Sequence, residues 1–525
     1  MWKQLSKKYP ERVTTLLPYA IACASGVLMG LTVAPVGAWF FAWVALAPLW
    51  VLVFTSPASP PLLGLAWGVG YHGVALSWIT GIHPMNWLGV PWLPSLAITL
   101  FCWSFISLLG GLLLTLWGAV MARWGGKKSG IRVLFGTAIW CGLESLWSAG
   151  PLWWSSLAYT QSPHNLVILH LGQLSGPNTV TAAIVAVNGL IAEAWINRHS
   201  RSSSSGRVVN KHLAIAISLF MTLHLLGFYL YSRPIAQPPA AALQVGIIQG
   251  NIPNEIKLIP QGLRRALAGY TTGYYNLVDQ GVDAVLTPEA ALPYFQRDLP
   301  NTSLIQAVQE KGVVAWVGAF GEQGTSYTNT LFTFTGKGEI FSRYDKTKLV
   351  PLGEYIPFEE ILGGIIGRLS PLDAHQVPGK TNQIFDTPFG RAIVGICYDS
   401  AFSEIFRSQA ATGGQFILSA SNDAHYSPSM PFQHHALDIM RAIETDRWSV
   451  RATNTGYSAF VDPHGHTLWI SGYNTYATHA ETIYKRETRT LYVRWGDWLT
   501  VVLLGLAVFL HQVIRLTHRR TGLTE

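Results

Sequence analysis

The stretch Ile393-Val394-Gly395-Ile396-Cys397-Tyr398-Asp399 decides how the chain is read. Val and Ile pack well on a pleated surface, so the apolar run predicts a buried strand. The polar pair after Cys397 ends that run. It puts the thiol at the C-terminal end of the strand, where α/β sheets tend to carry their chemistry. A free cysteine also behaves as a small hydrophobe, so this stretch alone fits a structural thiol as well as a nucleophile. Two upstream segments tip the balance. Thr287-Pro288-Glu289 ends one apolar run and Tyr344-Asp345-Lys346 ends another. A thiol, a carboxylate and an amine at three strand ends supply a nucleophile, a base and an electrostatic stabiliser.

At 525 residues the chain exceeds one ordinary core, so two or more domains are expected. Apolar residues make up 49% and charged residues 12%, about half the usual charged share. This is the profile of a membrane protein with a sizeable soluble part. The net charge of +8 does not signal nucleic acid. Lys and Arg are scattered or flank apolar spans, with no basic stripe interleaved with aromatics. Cys23, Cys102, Cys141 and Cys397 form no paired framework, so neither a disulfide scaffold nor a zinc cluster is expected. No metal or other cofactor is called for. After Arg12 the apolar residues run into further spans without a processing site, so no cleavable signal peptide is expected.

A membrane span needs about 20 apolar residues. Seven stretches qualify before Tyr231, at about 14–33, 37–55, 61–82, 94–121, 132–149, 166–194 and 212–231, and an eighth at about 498–514. The fourth and sixth exceed the minimum, which fits tilt or a broken helix. Lys3, Lys7, Lys8 and Arg12 precede the first span, and Lys and Arg are absent between Met29 and Met121. Arg123, Lys127, Lys128 and Arg132 follow the fourth span. Arg198, Arg201, Arg207 and Lys211 join the sixth to the seventh, and Arg515, Arg519 and Arg520 follow the eighth. Eight spans put every basic cluster on one side, and basic loops stay in the cytoplasm. The soluble region then lies outside, in the periplasm of a Gram-negative-type cell. One span fewer reverses that side. The expected division is a membrane bundle over 1–235, a soluble α/β domain over 243–490, and a C-terminal transmembrane helix over 497–515. Glu144 is read as fixing helix packing, and Glu193, near a span end, as reaching the interface.

In the soluble region short apolar runs at 243–249, 283–287, 313–319, 328–334, 392–397, 416–420 and 457–461 read as strands. Helical stretches near 262–280, 301–311, 401–411 and 431–446 are interposed, which argues α/β. The interval from Gly353 to Gly379 has no strand signal. It carries the apolar, glycine-rich run Ile361 to Gly367, read either as a mobile lid that dips into lipid or as a loop packed on its own domain.

Glu289 at the end of a buried strand has the desolvated setting of a general base, although a carboxylate complementing a helix start explains it too. Lys346 and Lys348 compete for the role of fixed ammonium, and a solvated hairpin accounts for both. Glu354 follows in the same segment and can hold the lysine or shape the pocket. Asn422, after the run at 416–420, lines the pocket or makes a turn. His434, His435, His464 and His466 match no metal spacing and read as surface or packing residues.

Together these residues resemble a known family. Thr287-Pro288-Glu289, Tyr344-Asp345-Lys346, Leu349-Val350-Pro351-Leu352-Gly353-Glu354-Tyr355, Gly395-Ile396-Cys397-Tyr398-Asp399 and Ser419 to Ala424 stand in the order and spacing of the carbon–nitrogen hydrolase (nitrilase-like) domain. Fused to an N-terminal membrane bundle, the chain resembles the bacterial apolipoprotein N-acyltransferases. Gln249 to Pro253, Met440 to Glu444 and Pro151 to Trp154 fit as well. The resemblance implies an αββα sandwich. It also implies a Glu-Lys-Cys triad of Glu289 as proton acceptor, Lys346 on the oxyanion side and Cys397 as nucleophile. Glu354, Tyr398, Asp399 and Asn422 are its supporting residues. Asp399 stands where Glu is common, Leu258 where an aromatic is often found, and His425 where the family has Trp. These departures bear on acyl or lipid preference more than on the reaction.

The implied reaction is transfer of a fatty acyl chain from a phospholipid, with phosphatidylethanolamine the implied donor. The acceptor is the N-terminal amine of a diacylated apolipoprotein. The alternative is a membrane-tethered amidase or nitrilase acting on a small amide. A third reading, a non-enzymatic transporter or assembly protein, lacks the paired intramembrane charges of an ion-coupled carrier.

Overall fold

The computed structural model describes residues 11–86, 89–126, 128–198, 205–351, 353–355, 376–424 and 426–520. The expectations placed on Lys3, Lys7, Lys8, Lys127, Arg201, Leu352, the run from Ile361 to Gly367, and His425 lie outside these described residues.

The first half is helical. It contains α1 (Glu11–Gly30), α2 (Ala47–Thr55), α3 (Pro60–Ala75), α4 (Trp92–Trp124), α5 (Ser129–Ser148), α6 (Pro177–Arg198) and α7 (Ser205–Tyr231). By length and composition, α4, α6 and the part of α7 from Gly206 are apolar enough to cross a membrane; the other apolar helices among the described residues are shorter. The apolar window of α6 is 78% buried, against 28% for α4 and 17% for α7. The bundle is therefore built around α6, with α4 and α7 at its rim. Glycines let α3 and α4 touch. A methyl group placed on Gly68 would sit 2.6 Å from the Gly111 Cα, so only hydrogen fits at this crossing.

The stretch expected as a sixth span is broken. Short turns at Leu166–Leu169 and Gly172–Ser175 precede α6. Gly176 (φ +74°) then takes a left-handed conformation and Pro177, which has no N–H to donate, opens the helix. Glu193 does not reach the interface. Its side chain is fully buried, paired by two hydrogen bonds with Arg132 at 2.6 and 2.7 Å, and it accepts the Trp50 indole N–H at 3.1 Å. A carboxylate among helices is retained because a cation and a donor compensate its desolvation. Glu144 is likewise buried and accepts from Ser156, Thr181 and Trp140, holding α5 against the chain after it.

The second half is two six-stranded sheets packed face to face. One has the order β12-β1-β2-β3-β4-β5 and the other β11-β10-β9-β8-β7-β6. The strands are β1 (Ala242–Gln249), β2 (Ala284–Leu286), β3 (Val314–Gln323), β4 (Ser326–Phe334), β5 (Ile340–Asp345), β6 (Phe385–Thr387), β7 (Gly390–Ile396), β8 (Phe416–Ser421), β9 (Ser449–Thr453), β10 (Ala459–Val461), β11 (Thr467–Ile470) and β12 (Ala477–Tyr484). β1–β3 and β7–β9 run parallel. Strand periodicity sorts the side chains. Val245, Ile247, Leu286 and Trp316 meet Val394, Ile396, Leu418 and Val450 between the sheets. Ile248, Val285 and Val317 point outward against α8 (Pro260–Val278) and α9 (Ser303–Lys311). Ile393 and Ile417 face α10 (Ser403–Ala411) on the other side. The layers are α, β, β and α.

α11 (Ser429–Thr445) differs from the other outer helices. Every residue from His434 to Thr445 is buried, and Leu437, Met440 and Ile443 belong to the apolar core of the bundle. A last helix, α12 (Trp498–Arg520), returns to pack on α5.

Candidate active site

The three sequence-predicted groups follow the ends of three strands. Glu289 lies three residues beyond β2, Lys346 directly follows β5, and Cys397 directly follows β7. β2 and β5 belong to one sheet and β7 to the other. The face-to-face packing of the sheets is what brings distant segments together. Thr287 fixes the approach of Glu289: its N–H bonds the Trp316 carbonyl at 2.9 Å and its hydroxyl accepts from the Gly318 N–H at 3.0 Å. The Glu289 carboxylate then accepts from the Lys346 ammonium at 2.9 Å and the Asn329 amide at 2.7 Å. Lys346 also donates to Glu354 at 2.8 Å, and Glu354 receives the Val350 N–H at 2.7 Å. Glu289 is 6% exposed, Lys346 1% and Cys397 5%.

Burial opposes the charge on Lys346, but Glu289 and Glu354 outweigh it and hold the ammonium well above the usual lysine range. Burial and the Glu289 carboxylate push the Cys397 thiol well up, with Lys346 pulling the other way. A thiol in this setting rests protonated and needs a base when it attacks. Cys397 also has φ +50°, a left-handed conformation that costs a residue with a side chain about 1–3 kcal/mol. The turn that holds it, Cys397–Ala401, is built by Asp399. Its carboxylate accepts the backbone N–H groups of Ile396 at 3.1 Å, Lys348 at 2.8 Å and Thr347 at 3.4 Å. Burial pushes this carboxyl up to about 6 against those three donors. Asp399 thus staples the end of β5 to the turn that carries Cys397.

The structure separates the two competing lysines. The Lys348 ammonium lies over the Phe402 ring at 4.4 Å, and the residue lines a cavity of about 480 Å³ toward the bundle. Neither Glu289, Lys346 nor Cys397 lines that cavity. The Tyr398 hydroxyl reaches the carbonyls of Pro151 at 2.9 Å and Trp153 at 2.8 Å, and its ring stacks on Trp154. It ties the Cys397 turn to the bundle. Asn422 bonds Asn254 at 3.2 Å and Asn454 at 3.0 Å.

Three groups at the site were not singled out from the sequence as site residues. Asn329 sits in β4 within Thr328-Asn329-Thr330, a buried polar run in which Thr328 and Thr330 bond each other and Asp345 while Asn329 donates to Glu289. Lys257 is 7% exposed, and its ammonium donates to the Glu289 carbonyl at 3.3 Å. Burial pulls its pKa down to about 8 against the attraction of Glu289 and Cys397. His434 is fully buried behind Cys397. Cys23, Cys102, Cys141 and Cys397 all carry free thiols.

Residues 25–190 match the family model described as the apolipoprotein N-acyltransferase N-terminal domain, and 241–483 match that of carbon-nitrogen hydrolase. An apolipoprotein N-acyltransferase of Nostoc sp. is 72% identical over 485 residues, covering 91% of this chain and 96% of that protein. One of Synechocystis sp. is 47% identical over 518 residues, covering 93% and 99%. A crystal structure of an amidase from Nesterenkonia sp. matches 50% of this chain and 96% of its own at 19% identity, with a TM-score of 0.36, too partial a superposition to bear on the chemistry. A bundle that matches the N-terminal family model, a two-sheet domain that matches the hydrolase model and full-length relatives of one kind agree: the chain belongs to the apolipoprotein N-acyltransferase family.

Proposed function

We propose that this chain transfers a fatty acyl chain from a phospholipid, with phosphatidylethanolamine the donor, to the N-terminal amine of diacylglyceryl-cysteine on an apolipoprotein, and does so through a thioester on Cys397. The observation that carries the reading is the buried Glu289–Lys346 pair at 2.9 Å beside a buried thiol. Glu289 takes the Cys397 proton as sulfur attacks the ester carbonyl. Lys346 faces the oxyanion that forms, and the lysophospholipid oxygen leaves with the proton held by Glu289. The acceptor amine then attacks the thioester and loses a proton to Glu289. The thiolate leaves and is reprotonated, so the enzyme returns to its starting state. Burial of the site limits hydrolysis of the thioester. The supporting residues act around this triad. Glu354 keeps Lys346 charged, Asp399 shapes the nucleophile turn, Tyr398 fastens it to the bundle, and Asn422 links Asn254 to Asn454.

The bundle supplies a reason for the chemistry to sit at a bilayer, because donor and acceptor are both lipid-anchored. Residues 1–235 form the bundle, 243–490 the catalytic domain and 497–515 the last span. Reading the eight apolar stretches of the sequence as spans, with the basic residues on one side, favours a multi-pass protein of the inner membrane with its catalytic domain in the periplasm. The test is trapping. Purified protein is incubated with a phospholipid labelled in its acyl chain, and thioester-bound label is expected on the wild type but not on Cys397→Ala. Label surviving in Cys397→Ala removes Cys397 as the nucleophile. The amidase reading has no observation of its own in its favour. It predicts release of ammonia from small amides without lipid.

A further inference from the structure

The wall behind the nucleophile holds a buried charge cluster. His434 Nε2 lies 2.9 Å from the Cys397 carbonyl oxygen, and Nδ1 lies 3.1 Å from the Asp423 carboxylate. Asp423 also receives Arg451 at 3.1 Å, and Arg451 reaches Asp438 at 2.6 Å. All four side chains are at most 1% exposed. A sulfur, a ring nitrogen and a carboxylate oxygen from Cys397, His434 and Asp423 lie within 4.8 Å of one another.

Two counts bear on the proton content of the ring. A carbonyl oxygen can only accept, so Nε2 must carry hydrogen. Asp423 pairs with the buried Arg451 guanidinium at 3.1 Å, and that cation keeps its carboxylate ionised. An ionised carboxylate also only accepts, so Nδ1 must carry hydrogen too. The second count is of charge. Arg451 with Asp423 and Asp438 leaves one uncompensated negative charge sealed inside the domain, next to a thiol that must become a thiolate. A protonated ring cancels it, and unpaired buried charge is costly. The neighbouring His435 stands in the opposite setting. Burial and Arg451 bring it down to about 4, and its Nε2 bonds the Thr467 hydroxyl.

We propose that His434 is carried as an imidazolium and serves as a positioning residue for Cys397. Its N–H pins the carbonyl of a residue in left-handed strain, and its charge favours the thiolate from the side opposite Lys346 and Glu289. The groups facing it are Asp423 from the end of β8, Arg451 from β9, Asp438 and His435 from α11, the Cys397 thiol, and the Trp154 ring from the bundle at 5.7 Å. This rests on the role of Cys397 proposed above; the trapping experiment tests that role separately.

His434→Gln keeps an N–H for the carbonyl and removes the charge. Single-turnover acylation by phospholipid is followed across pH. The midpoint of the profile is expected to move up by about one unit or more, with the rate recovering at high pH. A purely structural role lowers the rate at every pH and leaves the midpoint in place; an unmoved midpoint overturns the proposal. Wild-type protein labelled with ¹⁵N-histidine in bilayers is read by solid-state NMR at about pH 9, where exposed imidazoles are neutral. One doubly protonated ring is expected to survive. A spectrum of neutral rings alone overturns the proposal, whether or not the variant folds.

Discussion

Replacing Glu289 by Gln separates what the carboxylate does for the fold from what it does for the reaction. The Glu289 oxygen lies 2.9 Å from Lys346 and 2.7 Å from Asn329. At an effective dielectric of about 20 the ion pair has a gross attraction of about 6 kcal/mol, much of it offset by the desolvation of both groups. Glutamine keeps an oxygen for both donors, and Lys346 keeps Glu354 at 2.8 Å. The stability loss therefore falls to about 1–3 kcal/mol. The reaction has no such reserve. The thiol is pushed up by burial and Glu289, so it rests protonated, and an amide cannot take that proton. Loss of a general base lowers the rate by about 10²–10⁴-fold, or ~3–5 kcal/mol of barrier. Rapid-quench measurement of thioester formation from acyl-labelled phospholipid reads the rate, and a thermal melt reads the fold. Glu289→Gln protein that melts near the wild type yet forms thioester within about threefold of its rate refutes the assignment of Glu289 as the base.

Two other outcomes are expected. Lys257, lowered to about 8 by burial, binds its proton less well folded than unfolded, so its ammonium costs stability below about pH 8, and the cost fades as pH climbs toward 10. Lys257→Met should therefore raise the melting temperature at neutral pH, by up to about 3 kcal/mol of stability, with the gain shrinking on the alkaline side; an equal gain at all pH values contradicts the burial account. Tyr398→Phe loses the hydroxyl shared by the Pro151 and Trp153 carbonyls but keeps the ring against Trp154. A loss of about 1 kcal/mol in the melt is expected.

The apolar strands were legible because burial on both faces writes continuous runs of Val, Ile and Leu, as in β1, β7 and β8. β5, β9 and β12 were not. β5 is an edge strand with Ile340 and Phe341 exposed, so its sequence does not alternate cleanly. β9 reads as polar because Arg451 sits in its middle, and only the distant Asp423 and Asp438 make that arginine a buried residue. β12 is half-buried along most of its length and depends on antiparallel pairing with β1, far away in sequence. The same reason hides Asn329, Lys257 and His434. Each acquires its role from a partner on another strand or loop, and nothing in its own neighbourhood of sequence records that partner. Glu289 and Cys397 were legible because each follows a strand that could be recognised; Lys346 follows the unrecognised β5 and was picked over Lys348 through the resemblance. Glu193 was misplaced because a carboxylate near a span end looks like a headgroup contact until Arg132, sixty-one positions away, is found beside it.

The inner surface of α11 closes the sandwich while Leu437, Met440 and Ile443 on its other flank complete the interior of the bundle. One helix thus serves as masonry for both halves, and cutting the chain between them would leave an oily scar rather than a free-standing hydrolase. The sulfur is consequently mounted at a set standoff from the helices. Each lipid tail must be carried up to that fixed point, so the enzyme gauges its partners by reach.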